Sequence, residues 1–553
     1  MTKTKIMAIV SGVVALIALV TYAVILSFDI NSYKSKIEDV LSTSTGLHIK
    51  INGKVGLSFL PFGVSAKDIE VSGKGGEILS LEHLKLGAKL LPLLKKKLKV
   101  TSCVLVRPAL SVVKGFDGKY NFESGERGPT IGLPATAFTL NHLKLSDGTF
   151  VSIDKKTGEK TELKDINLAV RDLTIADISG EIVKNVSFTG NMDCKEMLRK
   201  NLRVENIKTS AKAIKGLYSF EPLTMGSLVH TDKKTGEKTE LKDINLAVRD
   251  LTIADISGEI VKNVSFTGNM DCKEMLRKNL RIENIKGSIK ARKGVFHLKP
   301  LSIYVLGGKG EGNFTADISK ADPTYSISLR IPRLDFEKLQ ESFGVRKVIG
   351  GKVDLTASLT AREKGGRTFL KGVYGTLSLR GNNLVTYTVD LDKVLSAFKA
   401  SQRFSLLDIG AFFITGPLGS AALRGYRYGD LYYQTQGGRG IIRQFVSRWK
   451  IRNGEATATD CALATRRNRV ALKGKLNLVE ERYDNLVVAL LDNKGCAKFK
   501  QGISGPFSSP QVGSIDVVES LAAPLLNLLK QTKRFVQGGR CQVFYNGSVP
   551  PPH

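Results

Sequence analysis

Residues 154–208 and 232–286 are one sequence written twice, differing only at Val204 against Ile282, at an offset of 78 residues. Weaker similarity continues past the copies: Lys212 with Lys290, Gly216 with Gly294, and Pro222-Leu223 with Pro300-Leu301. A closed globular core seldom accepts an insert of this length. An array in which each unit touches only its neighbours does, so the repeat restricts the chain to modular architectures. The unit must also return the chain to the same side and direction. In an antiparallel meander that requires an even number of strands, four to six at this length.

The local pattern agrees with strands. His48-Ile49-Lys50-Ile51 and Val55-Gly56-Leu57-Ser58-Phe59 alternate apolar with polar, Pro61 and Gly63 mark a turn, and Val64-Ser65-Ala66 resumes. The same grammar recurs to about residue 516, as at Lys352–Leu359, Gly375–Leu379 and Val470–Leu478. Such alternation gives one apolar and one polar face. Helical patterns are few: Asn31–Ser44, closed by Gly46; Asp193–Leu202; Leu384–Lys399, with a strand at its start; and an amphipathic stretch from Val517 to Lys530 that carries Pro524. Pro550-Pro551-Pro552-His553 is expected to be a disordered tail.

Ile6 to Phe28 contains no charged residue, long enough to cross a bilayer as a helix. Lys3 and Lys5 precede it and Asp29 comes after it, which places the N-terminus in the cytoplasm and the rest of the chain outside. A cleaved signal peptide would have a shorter apolar core and an A-x-A site. These features divide the chain into residues 1–28 (stub and anchor), 29–153 (first β region), 154–300 (tandem β units), 301–516 (second β region), and 517–553 (amphipathic helix and tail).

The 553 residues carry a formal net charge of +31. Nucleic-acid domains cluster such charge and interleave it with stacking aromatics. Here Lys and Arg are spread throughout, aromatics are 7% and Trp449 is the single tryptophan. Solvated faces of lysine-rich strands explain the charge, and no nucleic-acid partner is expected. The one dense run, Lys95-Lys96-Lys97-Leu98-Lys99, suits a solvated surface or acidic head groups. The six cysteines form no CxxC and the six histidines are scattered, so no metal or cofactor site is expected. The cysteines are read as buried or free thiols, with one or two disulfides open to them in an oxidising compartment. Gly307-Gly308-Lys309-Gly310-Glu311-Gly312 lacks the G-K-[ST] ending of a phosphate loop and marks a bend or bulge. No G-x-S-x-G or H-E-x-x-H occurs, and the chain is not expected to be an enzyme.

Several ordered motifs resemble the AsmA family of Gram-negative envelope proteins. They are the N-terminal apolar run, Phe28-Asp29-Ile30-Asn31-Ser32-Tyr33, Thr45-Gly46-Leu47-His48-Ile49, Leu57-Ser58-Phe59-Leu60-Pro61 and Val64-Ser65-Ala66-Lys67-Asp68-Ile69-Glu70-Val71. Leu90-Leu91-Pro92-Leu93-Leu94, Asp117-Gly118-Lys119-Tyr120-Asn121-Phe122 and the closing Gly505-Pro506-Phe507-Ser508-Ser509-Pro510 come next in the family's order. The resemblance implies a single-span inner-membrane protein whose bulk is periplasmic. It implies a mostly β fold, an elongated antiparallel sheet curled into a groove or trough with a few short helices. Larger relatives resemble bridge-like lipid transfer proteins. The tandem duplication departs from the family's pattern.

The apolar stripes supply candidates for such a groove: Ile166, Leu168 and Val170, their copies Ile244, Leu246 and Val248, then Leu355, Ala357, Leu359, Leu377, Leu379, Leu476 and Leu478. With few helices to cover them, they would leave an exposed apolar surface that an acyl chain could fill. The expected function is binding or transfer of phospholipid, or another acyl-chain lipid, between membranes in support of the outer membrane. The expected partners are the inner membrane and outer-membrane components. The alternative is a scaffold that helps outer-membrane proteins assemble by adding strands at an edge.

Overall fold

The computed structural model describes residues 30–89, 100–122, 138–176, 185–253 (except 216 and 234), 260–344, 347–363, 369–387, 390–401, 409, 413–414, 438–517 and 541–552 (except 542). The apolar run Ile6–Phe28, the lysines at 95–97 and 99, and the stretch 518–530 lie outside them. Among the described residues, no helix is long and apolar enough to cross a membrane. The chain divides into two compact units, 1–236 with 245–250 and 237–244 with 251–553.

The first unit opens with a 3-10 turn, Ile30–Tyr33, and the helix α1 (Lys34–Thr45). Gly46 ends α1 in the left-handed region (φ 68°), and its N–H closes on the Ser42 carbonyl. Eleven strands come after it: β1 (His48–Ile51), β2 (Val55–Phe59), β3 (Phe62–Gly73), β4 (Gly76–Ala88), β5 (Val100–Val106), β6 (Ala109–Lys114), β7 (Phe138–Asp154), β8 (Glu159–Ile175), β9 (Val186–Arg199), β10 (Leu202–Ile214) and β11 (Leu217–Thr231). β1 and β2 both pair with β3, as one line broken at Asn52-Gly53-Lys54. From β7 to β11 the strands form an antiparallel meander.

Two pairings depart from the antiparallel expectation: β5 and β6 both run parallel to β7. A parallel pair needs a crossover connection, unlike the tight hairpins between the antiparallel neighbours. The helix expected over Asp193–Leu202 is also corrected. Those residues belong to β9 and the start of β10, where Cys194 pairs with Ile166 on one side and Ile207 on the other. Ladder bonds to two neighbours and burial of alternate side chains outweigh the helical preference of Lys, Glu, Met and Leu.

The division between units falls within β12 (Lys238–Ile253). The second unit continues with α2 (Ile260–Asn263), β13 (Val264–Arg277), β14 (Leu280–Arg292), β15 (Val295–Val305), β16 (Gly308–Asp317), β17 (Thr324–Asp335), α3 (Phe336–Ser342), β18 (Ile349–Gly350), β19 (Lys352–Arg362) and β20 (Val373–Thr386). α4 (Leu391–Ser401), β21 (Gly440–Arg452), β22 (Glu455–Ala464), β23 (Arg469–Asn477), β24 (Arg482–Leu491), β25 (Ala497–Pro506) and β26 (Gln511–Val517) complete it. The pairings described from β13 to β26 are antiparallel. Asp335 caps α3 by accepting hydrogen bonds from the N–H groups of Glu337 and Lys338.

The repeat resolves as expected into an even number of strands. The first copy and its continuation are β8 to β11, and the second are β12 to β15, each strand displaced by one unit length. Both copies place an Asp or Asn in the left-handed region inside a strand: Asp165 and Asn206, then Asp243 and Asn284, with φ between 49° and 55°. Asp147 in β7 does the same (φ 54°). These residue types tolerate that region best, and an extra residue there bends the strand and increases its twist. Leu306 (φ 51°) and Gly307 (φ 76°) form the tight turn into β16, so the glycine-rich segment is the bend its composition suggested.

In the second unit, β21 to β25 are buried on both faces. One face packs Phe336 from α3 and Phe413 around Phe445, with ring centroids 5.8 and 5.9 Å away. On the other, Val446, Ala462, Ala464, Ala471, Ala489, Leu491 and Ala497 are covered by Tyr545 and Val549 of the C-terminal segment. Val549 is fully buried and Pro551 and Pro552 beyond it are half-buried, so the expectation of a disordered tail over Pro550–His553 is corrected as far as Pro552. The Cys496–Cys541 disulfide (Cα–Cα 5.9 Å) joins that segment to the start of β25. The Tyr545 hydroxyl donates to Asp460 Oδ1 (2.6 Å) and accepts from the Val549 N–H (3.0 Å). Ser548 Oγ donates to Asp460 Oδ2 (2.7 Å), and Arg469 donates to the Val549 carbonyl (3.1 Å).

A candidate binding face

On β7 to β11 the register sets apolar side chains into rows. Leu145, Leu168 and Met192 form one row, which continues through Thr209 to Leu223. Phe150, Leu163, Met197, Val204 and Leu228 form another. Ile166, Cys194 and Ile207 lie between them. The cluster around Cys194, Val204 and Ile207 is drawn wholly from β8 to β11. It is a core of one layer: its members are neighbours on one sheet face. Among the described residues, helices pack on strands elsewhere, α1 on β1, α3 on β17 and β18, and α4 on β21. Leu163, Ile166, Leu168, Met192 and Met197 consequently stay half-buried.

The opposite face of the same strands is ionic. Lys160 pairs with Glu162 (3.0 Å), Lys164 with Glu196 (3.2 Å), and Arg203 with Glu196 (2.9 Å) and Glu205 (2.8 Å). Hydrogen bonds from Lys200 to Glu159 and from Lys160 to Glu162 are the main causes that hold these two carboxyls below the ordinary carboxylate range. The second copy repeats the lattice through Lys242, Glu274, Arg281 and Glu283. Single exposed pairs contribute little stability. Collectively they solvate one face and so determine which face stays apolar.

The candidate residues separate into two groups. Ile166, Leu168, Leu246 and Val248 are half-buried, and Val170 of the first copy and Ile244 of the second are buried. Leu355, Ala357, Leu377, Leu379 and Leu476 are not on an open face: they are between 0 and 8% exposed. Leu377 pairs with Trp449 and Leu379 with Ser447. Trp449 Nε1 donates to Ser447 Oγ (2.8 Å), which donates to the Phe413 carbonyl (2.7 Å). Phe336 and Phe413 stack on Phe445 of the face that Leu379 shares, a second layer that alternation alone could not disclose. Leu359 is half-buried beside Ile327 and Gly375. Leu478 lies beyond β23, in a turn where its N–H donates to the Gly454 carbonyl (2.9 Å), so it does not continue the stripe of Leu476. The sequence reading missed Met192, Met197, Leu223 and Leu228, which the register brings to the face. Met192 and Met197 stand an odd number of positions apart on one strand, so counting by twos separates them. Val204 and Thr209 were concealed in the same way.

The thiols are unreactive in kind. Cys194 Sγ donates to the carbonyls of Lys164 (3.4 Å) and Glu196 (3.3 Å), and Cys272 repeats this with Lys242 (3.5 Å) and Glu274 (3.3 Å). Burial raises both pKa values and pushes Cys461 up to about 12. Among the described residues, no group of His, Cys, Asp and Glu could hold a metal. A polar hollow of about 480 Å³ on the ionic face is lined by Arg171, Thr189, Ser210, Lys212 and Glu221, among others. Its one carboxylate, Glu221, is already bound by Arg249 Nε (3.1 Å).

The class these units define is a mostly antiparallel β-sheet protein, with one ionic and one apolar face on β7 to β11 and both faces covered on β21 to β25. The AsmA family model matches residues 1–271 and again 229–460. The chain belongs to the AsmA family. The two matches overlap within the second copy of the repeat, where one model must be read twice. The comparison with curated proteins found no match. Neither did the comparison with solved structures.

Proposed function

We propose that this protein binds the acyl chains of phospholipid on the apolar face of β7 to β11 and its copy, and passes lipid between membranes of the envelope. The single observation that carries the reading is the one-layered face: among the described residues, half-buried Leu163, Ile166, Met192 and Met197 pack on a cluster drawn from β8 to β11 alone, and half-buried Leu168 pairs with Leu145 and Met192 beside it. Such a surface is rarely left bare on a soluble protein. Each CH₂ buried there contributes about 0.8 kcal/mol. Family membership supports a membrane-associated envelope role. The proposed location is the inner membrane, with the apolar run Ile6–Phe28 as anchor and the β units in the periplasm. The Cys496–Cys541 disulfide supports an oxidising compartment. No bond-making step is proposed.

The test is bound phospholipid per chain after extraction in mild detergent. Leu168→Asp and Leu246→Asp place a carboxylate on the face, whereas Arg171→Asp changes an exposed residue of opposite parity. Losing contact with two to three CH₂ groups costs about 2 kcal/mol, roughly a thirtyfold drop in occupancy. The inward variants should lose lipid, and Arg171→Asp should match wild type. Equal lipid in all chains, or none in wild type, overturns the reading. Co-purifying outer-membrane protein in place of lipid would support the scaffold.

A further inference from the structure

The turn after β6 holds three aromatic rings in water. Phe116 is 77% exposed, Phe122 40% and Tyr120 37%. Turns ordinarily carry small polar residues, and this one is firmly built. The Asn121 N–H donates to the Val113 carbonyl (2.8 Å). Its Nδ2 donates to the carbonyls of Ser111 (2.9 Å) and Glu77 (3.3 Å), and its Oδ1 accepts from the Val113 N–H (3.1 Å). The Gly115 N–H donates to the Lys119 carbonyl (2.7 Å). Tyr120 and Phe122 stack with centroids 5.2 Å apart and 8° between planes, and Lys114 Nζ lies 5.7 Å from the Tyr120 centroid.

Two other turns meet this one. A side chain at Gly73 would strike the Asn121 carbonyl, and the Lys155 N–H donates to the Lys114 carbonyl (3.0 Å). The three turns carry Lys74, Lys114, Lys119, Lys155 and Lys156. Of the nearby carboxylates, Asp154 already accepts from the N–H groups of Lys156 (2.9 Å) and Thr157 (3.0 Å), and Asp117 from that of Lys119 (3.1 Å).

We propose that this turn is a lipid-surface contact: Phe116, backed by Tyr120 and Phe122, enters the head-group layer of an anionic phospholipid bilayer while the surrounding lysines meet its phosphates. Exposed aromatic rings beside cations are the chemistry of membrane interfaces. A peptide strand would need a free edge, and β6 is paired with both β4 and β7. A sugar would need a bare ring face, and Phe122 already stacks on Tyr120. The inference does not depend on lipid binding by β7 to β11.

The test uses the full chain on vesicles of phosphatidylethanolamine and phosphatidylglycerol whose acyl chains carry bromine. Wild type is a quiet background, because its single tryptophan, Trp449, is 2% exposed. Phe116→Trp emission should shift to the blue and be quenched at least about twofold more than wild type. Lys114→Gln with Lys119→Gln, or about 0.5 M salt, should weaken the quenching. Tyr120→Trp reads the same patch independently if Phe116→Trp disturbs the fold. Emission equal on brominated and unbrominated vesicles for both reporters overturns the proposal. So does a shift produced by a soluble anionic oligosaccharide without bromine quenching.

Discussion

Tyr545→Phe tests how the C-terminal segment is held. The substitution keeps the ring, which is 5% exposed among alanines, and removes one oxygen. Asp460 then loses a short charge-assisted bond, worth about 1.5–3 kcal/mol, and the buried Val549 N–H loses its acceptor, at about 1–2 kcal/mol. Together these weaken docking by about 3–4 kcal/mol, which is roughly two to three powers of ten in local opening. Hydrogen exchange at the Val549 amide reads that opening directly. The acid limb comes from the same site. Burial pushes the Asp460 carboxyl up, but hydrogen bonds from Tyr545 and Ser548 and the Arg448 charge outweigh it, leaving its pKa lowered. A lowered pKa contributes stability above the ordinary value of about 3.9, lost as pH falls through the folded value. The wild-type segment should therefore stay docked from neutral pH to about pH 4 and open only below it. Exchange at Val549 that rises less than about threefold in Tyr545→Phe would refute the reasoning.

Leu476→Asp, at a fully buried position, should cost several kcal/mol and yield little folded protein, whereas Leu478→Asp in its turn should be tolerated; protease resistance compares them. Deleting residues 209–286 removes four strands and joins equivalent positions of the two copies, so the product should keep a cooperative β-sheet signal in circular dichroism. An unfolded product would contradict the modular reading. Reducing the Cys496–Cys541 disulfide should raise proteolysis near residue 541 without loss of the sheet signal, because the tail keeps its bonds to Asp460 and Arg469. In the native chain Cys461 should resist alkylation at pH 8, since burial holds its pKa near 12. A reporter fused after residue 60 should be active only outside the cytoplasm, and activity inside would sink the proposed topology.

Strand content, the even-numbered repeat and the polarity of each face were legible in the sequence because they depend on periodicity and on local turn chemistry. His48–Ile51 and Val55–Phe59 are strands with the bounds their alternation indicates, and Gly46 ends α1 as its position suggested. The register was not legible. Asp165 and Asn206 each insert a left-handed residue that reverses the parity of the strand beyond it, so counting by twos loses Leu163 and Val204 from the face they share. Nor could alternation show which apolar stripes acquire a second layer. Leu168 and Leu379 look alike in sequence, each on the apolar stripe of an alternating strand. Phe336 and Phe413, remote in the chain, add a layer on the face that holds Leu379, while among the described residues the cluster beside Leu168 is drawn from β8 to β11 alone. Local pattern determines which side of a strand is apolar. Only contacts between distant segments decide whether that side becomes a core or remains a surface for a ligand.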